Sequence, residues 1–180
     1  MSLTASTMLP LGTIAPKFNL PCPATNKHVS IDDAKKSKGL LVVFMCNHCP
    51  YVKHILPGLK QFAVDYSKSD IGLVAISSND VENYPADAPE LMAELDIGMA
   101  YLYDETQAVA KAYDAVCTPE FYLFDGDLKL VYRGQFDDSR PGNGMAVSGK
   151  DVRAAMDALL NGAEINKQQM PGMGCNIKWK

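Results

Sequence analysis

Two cysteines separated by two residues are the part of the sequence best suited to chemistry. They lie in the segment 46–50, which reads CNHCP. Thiols at this spacing reach each other within one helical turn, so a disulfide between Cys46 and Cys49 can form and be reduced again. The motif therefore predicts disulfide exchange, with Cys46 as the attacking thiol and Cys49 as the thiol that resolves the mixed disulfide.

His48 lies between the two cysteines and is expected to tune them. A positive charge near Cys46 favours its thiolate, and stabilising the reduced form makes the disulfide a stronger oxidant. Free N–H groups and the helix dipole act in the same direction at a helix N-terminus. We expect Cys46 to occupy that N-terminus as the more exposed thiol with the lower pKa, and Cys49 to lie against the sheet.

A structural zinc site and simple packing are the alternatives for this cysteine pair. A zinc site needs two further ligands. The available candidates are His28, His54, Cys117 and Cys175. Because the chain contains no second Cys-x-x-Cys and no His-x-x-x-His, we expect no metal and no other cofactor. Packing alone is a poor reason for a cysteine pair at a strand-to-helix turn.

The elements around the motif alternate between strands and helices. Residues 40–45 form a continuous apolar run, as expected for a central strand buried on both faces, and residues 51–66 repeat apolar side chains at helical spacing. Residues 18–20 and 29–31 flank a polar turn and predict an N-terminal β-hairpin. Further strands are expected at 71–76, 101–103, 120–124 and 128–132, and further helices at 89–95, where Asp87 is a candidate cap, 106–113 and 151–160.

This order of elements predicts an α/β fold in one domain. The β-α-β crossovers require parallel strands covered by helices, and the hairpin at 120–132 adds antiparallel strands. The expected architecture is a central mixed β-sheet flanked by helices, in a single domain over residues 1–180. Its core should cover about residues 18–162, with a tail at 163–180 that has no strong periodicity.

The composition is that of a soluble globular protein and excludes two classes of partner. The 180 residues are 47% hydrophobic and carry a formal net charge of −4. Without a dense block of Lys and Arg, neither nucleic acid nor an anionic membrane surface is expected as a partner. The longest apolar run, 40–46, is too short for a membrane helix. Residues 1–13 lack the pattern of a secretory signal.

The sequence resembles the thioredoxin superfamily over most of its length, from Phe18 to about Leu160. The resemblance rests on the run 42–49 (VVFMCNHC) and on the dipeptide Thr118-Pro119. It implies a thioredoxin-like fold in which Pro119 is a cis-proline opposite the cysteines. Thr118 and Pro119 would then present backbone to an extended substrate beside the reactive sulphur. An ordinary trans proline at the start of a strand is the alternative.

More narrowly, four segments resemble bacterial thioredoxin-like redoxins, which are often labelled alkyl hydroperoxide reductase/thiol-specific antioxidant-like. They are 46–53 (CNHCPYVK), 117–125 (CTPEFYLFD), 136–141 (FDDSRP) and 174–180 (GCNIKWK). The resemblance implies a redox motif but no established substrate. The expected partners are a disulfide-bearing protein or a small-molecule thiol, together with a cellular dithiol reductant.

The motif departs from the peroxiredoxin pattern P-x-x-x-T-x-x-C. Counted back from Cys49, the Thr position holds Cys46 and the Pro position holds Val42. Thr118 and Pro119 also stand where peroxiredoxins place an arginine over the sulphur. A thiol-dependent peroxidase is therefore the weaker enzymatic hypothesis, although Cys49 is followed by proline as in those enzymes. A metal carrier or redox sensor on the same fold is the non-enzymatic alternative.

The remaining cysteines are the candidates for accessory thiols. The odd number of five cysteines favours a reducing compartment with one special pair, and we expect a cytoplasmic protein. The resemblance brings Cys117 near the pair, either as a third redox thiol or, preferably, as a small buried residue. Cys175 is a candidate for a distant resolving thiol in the tail, and Cys22 is expected to be incidental.

Several charged residues near these segments are expected to be structural. Glu120 follows the proline and is interpreted as a surface or strand-edge carboxylate rather than a proton carrier. Asp137, Asp138 and Arg140 are expected to form a local turn network. Among the arginines, only Arg133 and Arg140 are close enough in sequence to serve a peroxidase site.

Overall fold

The computed structural model describes residues 3–180. Its strands are β1 (Leu3–Ala5), β2 (Asn19–Cys22), β3 (Lys27–Ser30), β4 (Gly39–Phe44), β5 (Ile71–Ser77), β6 (Ala100–Tyr103), β7 (Cys117–Thr118), β8 (Glu120–Asp125), β9 (Leu130–Gly134) and β10 (Met173–Asn176). Its helices are α1 (Ile31–Ala34), α2 (Pro50–Tyr66), α3 (Pro89–Glu94), α4 (Ala108–Ala112) and α5 (Lys150–Leu160), with a 3-10 turn at Pro85–Asp87.

A mixed sheet forms the centre of the molecule, as the sequence predicted. Strand β8 pairs antiparallel with both β4 and β9, and β5 pairs parallel with β6. The Met45 N–H, just after β4, donates to the Ile76 carbonyl in β5 at 2.9 Å, which links the two sets of strands. Every residue of β4 is buried, so this apolar run is the central strand of the sheet.

Apolar side chains fill both faces of the sheet. One cluster, on the face of α2 and α5, includes Leu59 and Met156 together with the two motif cysteines. The other, on the face of α4, includes Phe44 and Tyr113. The β2–β3 hairpin pairs Asn19 with Ser30 and confirms the predicted N-terminal hairpin. Among residues 3–180, no helix is both long and apolar enough to cross a membrane.

The tail contains a strand that the sequence did not predict. Strand β10 pairs antiparallel with β1 on one side and with β7 on the other, forming a second, three-stranded sheet. Its register places Cys175 opposite Thr118. The tail therefore belongs to the structure around the motif. The predicted core, which ended near residue 162, did not include it.

Candidate active site

The motif is a loop between β4 and α2, and the helix begins later than the sequence predicted. Helix α2 starts at Pro50, a residue suited to the first helical position, and Cys49 is its N-cap. Cys46 therefore precedes the helix by a whole loop, and its expected place at the helix N-terminus was wrong. Cys49 holds that place instead.

Asp87 holds the loop that precedes the helix. Its Oδ1 accepts hydrogen bonds from the N–H groups of Asn47 and His48, at 2.7 and 3.0 Å. Its Oδ2 accepts from Asn79 Nδ2 at 2.8 Å and lies 2.5 Å from His48 Nδ1. The carboxylate is fully buried and fixes the loop. Asp87 was expected only as a helix cap, but helix α3 is capped by Ala88 without a side-chain bond.

His48 is held beside Cys46 by this carboxylate. Its Nδ1 lies 3.8 Å from Cys46 Sγ, and its ring stacks on Tyr84 with centroids 5.4 Å apart. Among residues 3–180, Cys46, His48 and Asp87 form the group that could hold a metal ion, with ligand atoms within 4.8 Å of one another. This group uses Asp87 in place of the candidate ligands His28 and His54.

Strand β7 and the following proline face the two cysteines, as the resemblance implied. The Thr118–Pro119 peptide is cis. Cys46 Sγ lies 3.6 Å from Thr118 Oγ1, and the Cys49 thiol donates to the Thr118 carbonyl at 3.3 Å. Pro119 also lines a narrow groove with Tyr51 and other residues of the first turns of α2 and the loop after β9.

The electrostatics of the two thiols are the reverse of the expectation. A hydrogen bond from the Cys46 thiol lowers the pKa of Cys49 to about 4, against the opposing effect of burial. Hydrogen bonds from Cys175 and from the Val52 N–H in the first turn of α2 act in the same direction. The bond to Cys49, burial and the Asp87 carboxylate all raise the pKa of Cys46. Cys49 is therefore the more readily ionised of the two thiols, and its ionisation breaks the hydrogen bond that it donates to the Thr118 carbonyl.

Exposure does not separate the two thiols. Cys46 is 1% exposed and Cys49 is 0% exposed, so the expected greater exposure of Cys46 amounts to almost nothing. The two thiols differ instead in their position relative to helix α2, of which Cys49 is the N-cap.

The accessory cysteines differ in their relation to the pair. Cys175 lies opposite Thr118, whose carbonyl accepts from the Cys49 thiol. Cys117 is fully buried, with Sγ 3.8 Å from Glu120 Oε2, and burial raises its pKa. Cys22 lies in the apolar cluster on the other face of the sheet. The structure thus brings Cys117 and Cys175 towards the pair and leaves Cys22 apart from it.

Glu120 is fully buried, so its interpretation as a surface or strand-edge carboxylate was wrong. It is the first residue of β8 and pairs with Phe44 at the end of β4, which carries its side chain into the protein. Its Oε2 accepts from the Val116 N–H at 3.3 Å. Burial raises the pKa of Glu120 to about 7, which leaves the carboxyl able to exchange a proton near neutral pH.

Glu120 should make the protein less stable as the pH rises. The pKa of Glu120 is about 7 in the folded protein and 4.5 without burial. Between pH 4.5 and 7, the folded state therefore keeps a proton on this carboxyl that the unfolded state has lost. The free energy of unfolding should therefore fall from about pH 4.5 to 7. The variant Glu120→Gln should lack this fall and exceed the wild type by about 3 kcal/mol at pH 8. Denaturant unfolding under reducing conditions measures both quantities.

Exposed Glu94 provides the matched control for that experiment. Glu94→Gln should follow the wild-type stability at every pH, because this side chain is exposed to solvent in the folded protein. Equal pH dependence of Glu120→Gln and the wild type would contradict the assignment of this titration to Glu120.

The two arginines near the site are already bound elsewhere. Arg140 donates to Gln135 Oε1 at 2.6 Å and to the carbonyls of Asp137 and Ser139. Arg133 donates to the Leu9 carbonyl and to Gln169 Oε1. Together with the hydrogen bonds that Asp137 accepts from Ser139, Ser148 and Gly149, these contacts make the local turn network that the sequence predicted.

Comparison with solved structures confirms the fold. The chain is 51% identical to an uncharacterized conserved protein from Geobacillus kaustophilus, with a TM-score of 0.97 and coverage of 100% of this chain and 97% of that one. A hypothetical protein from Sinorhizobium meliloti 1021 is 45% identical, with a TM-score of 0.95 and coverage of 98% of both chains.

More distant similarity extends to thioredoxin domains. The thioredoxin domain of a thiol-disulfide oxidoreductase from Bacteroides vulgatus is 19% identical, with a TM-score of 0.58 and coverage of 81% of this chain and 96% of that one. At this identity the likeness establishes the thioredoxin-like fold. No curated protein sequence matched the chain. The model of the AhpC/TSA family matches residues 11–133, and the chain belongs to that family.

Proposed function

We propose that this protein is a thiol–disulfide oxidoreductase in which Cys46 and Cys49 alternate between a dithiol and a disulfide. The observation that carries the proposal is the pair itself. Both thiols contact Thr118 at the cis peptide before Pro119, and Cys49, the N-cap of α2, has the lower pKa of the two. Membership of the AhpC/TSA family and the thioredoxin-like fold support a redox role.

The first step of the proposed reaction is attack by Cys49. Its thiolate displaces one sulphur of a substrate disulfide, which leaves as a thiolate and takes up a proton. Cys46 then gives up its proton and attacks the Cys49 sulphur, releasing the second substrate sulphur and forming the Cys46–Cys49 disulfide. In this scheme a cellular dithiol reduces that disulfide again. We propose a reducing compartment such as the cytoplasm, where the dithiol form would be regenerated.

The proposed substrate is a protein or small molecule that carries an accessible disulfide. The groove beside Pro119 is lined by Tyr51, Ile55, Phe136 and Met173, among others. Such apolar and aromatic walls suit an extended polypeptide, and the Thr118 carbonyl next to the cis peptide lies beside the reactive sulphur. We propose that Thr118 and Pro119 hold the substrate backbone during exchange.

A disulfide-reduction assay tests this function. The reduced protein should reduce the interchain disulfides of insulin with dithiothreitol as the electron donor, and peptide mass mapping of the product should place the new disulfide between Cys46 and Cys49. A protein that reduces no disulfide and forms no bond between these two residues would refute the proposal. Buried Cys22 supplies the control, because Cys22→Ser should retain full activity.

A thiol peroxidase is the second candidate, because Cys49 is a low-pKa thiol at a helix N-terminus followed by proline. Dedicated peroxidases polarise the peroxide with positioned hydrogen-bond donors. Arg133 and Arg140 are engaged in other contacts, and Cys46 occupies the position of the motif threonine. Replacing insulin by hydrogen peroxide in the same experiment should therefore give slow oxidation. Oxidation at the rate of dedicated peroxidases would favour this second candidate.

A further inference from the structure

Cys49 has a second cysteine nearby besides Cys46. The Cys49 thiol donates to the Thr118 carbonyl at 3.3 Å, and Cys175 lies directly opposite Thr118 in the neighbouring strand. All three sulphurs belong to one buried cluster, in which Cys175 is 4% exposed. The mechanism proposed above uses only Cys46 and Cys49, so a buried nucleophilic group next to the thiolate remains without a role.

Cys175 has a fixed position because it lies within strand β10. Cys175 lies opposite Thr118 in the β10–β7 ladder, and the Ile177 N–H donates to the Val116 carbonyl at 2.9 Å. The preceding residue, Gly174, approaches so closely that an added Cβ would lie 1.9 Å from the Thr118 carbonyl oxygen. Such close pairing holds the Cys175 sulphur at Cys49, whose own thiol contacts the same carbonyl.

We propose that Cys175 is a second resolving thiol for Cys49, a role that rests on the proposed function. The Cys175 thiolate attacks the Cys49 sulphur of a mixed disulfide with substrate. The bond between Cys49 and the substrate sulphur breaks, and the substrate leaves as a thiolate that takes up the proton given up by Cys175. The product is a Cys49–Cys175 disulfide. The substrate disulfide itself is the oxidant, so no further reagent is required.

Position and charge both bear on this step. Cys49 and Cys175 both lie at Thr118, and their sulphurs must approach to the disulfide length of about 2.05 Å. Burial and the neighbouring Cys49 sulphur raise the pKa of Cys175 to about 12, while Lys178 lowers it. When Cys49 enters a mixed disulfide it becomes neutral, so its charge no longer opposes ionisation of Cys175.

The second route has a consequence that the Cys46 route lacks. A Cys46–Cys49 disulfide consumes both motif thiols, whereas a Cys49–Cys175 disulfide leaves Cys46 reduced beside His48. The protein could then store an oxidised state between α2 and β10 while its first motif cysteine stays a thiol. The two disulfides share Cys49, so they interconvert by attack of the third thiol without any net oxidation.

The test uses one equivalent of 5,5′-dithiobis(2-nitrobenzoate) on reduced variants. Attack by Cys49 releases one thionitrobenzoate and leaves the other as a mixed disulfide, and resolution releases the second. Cys46→Ser should release both and should yield a Cys49–Cys175 disulfide on peptide mass mapping. Cys46→Ser/Cys175→Ser should release only one and should retain the label on Cys49. Cys46→Ser/Cys117→Ser is the matched control and should behave as Cys46→Ser does.

Retention of the label on Cys49 in Cys46→Ser, at the level of the Cys46→Ser/Cys175→Ser variant, would overturn the inference. The proposed function has its own readout, since the wild type should still form the Cys46–Cys49 disulfide with insulin whatever Cys175 does. If Cys46→Ser does not fold, Cys46→Ala repeats the experiment. A Cys49–Cys175 disulfide in either variant supports the second resolving role.

Discussion

Cys49→Ser should abolish disulfide reduction, whereas Cys46→Ser should still attack a disulfide. Cys49 is the more readily ionised thiol, because hydrogen bonding to the Cys46 thiol, to Cys175 and to the Val52 N–H lowers its pKa. Removing the Cys49 sulphur leaves Cys46, whose ionisation burial and Asp87 continue to oppose. In the insulin assay, Cys49→Ser should therefore show no more activity than the buffer.

The pH dependence of alkylation provides the sharper measurement. In the wild type, iodoacetamide should modify Cys49 at a nearly constant rate from about pH 5 to 8, since a thiol with a pKa of about 4 is ionised throughout this range. In Cys49→Ser, the rate at Cys46 should rise about tenfold per pH unit. At pH 5 the wild type should react more than about tenfold faster, even after allowance for the weaker nucleophilicity of a low-pKa thiolate.

Peptide mapping identifies which cysteine reacts, and Cys22→Ser is the control that should leave the profile unchanged. Preferential labelling of Cys46 in the wild type at pH 5 would contradict the assignment and would restore the order of attack suggested by the sequence. This experiment bears on the division of roles between the two thiols and not on the existence of the disulfide.

The sequence predicts the central elements of this fold because their signals are local. The apolar run of β4, the helical spacing of α2 and the turn between β2 and β3 each follow from neighbouring residues. Strands β1 and β10 have no such signal. They are short, and each forms by pairing with a segment distant in sequence, as Leu3 does with Cys175. Gly174 is a specific requirement of that pairing, which only the structure shows.

Some features of the candidate site are likewise visible in the sequence, and others are not. The spacing of Cys46 and Cys49 and the dipeptide Thr118-Pro119 are visible in the sequence, and the structure brings them together. The start of α2 has a local signal in Pro50, but the contacts of Asp87 with the preceding loop come from about 40 residues further along the chain and are not visible in the sequence. The one local signal for Asp87 is its isolation in an apolar, proline-rich segment, 84–89 (YPADAP). Nor does the sequence show that Glu120 is buried.

Asp87→Asn should have the largest effect on both stability and reactivity outside the cysteines. The carboxylate accepts from two backbone N–H groups and from Asn79, and it pairs with His48. An amide would turn its NH₂ group towards donors that need an acceptor, leaving buried groups unpaired. We expect a loss of about 3 kcal/mol in the free energy of unfolding, measured in denaturant under reducing conditions.

The same substitution should lower the pKa of Cys46, because the Asp87 charge opposes formation of a thiolate there. Iodoacetamide should then modify Cys46 at a lower pH than in the wild type. Asp104 supplies the matched control, since it is also fully buried and accepts from Ser78 and the Ala110 N–H. Asp104→Asn should lose comparable stability without altering the alkylation profile. If both variants show the same pH dependence of alkylation, Asp87 holds the loop but does not change the pKa of Cys46. A shift confined to Asp87→Asn shows that the carboxylate controls the ionisation of Cys46.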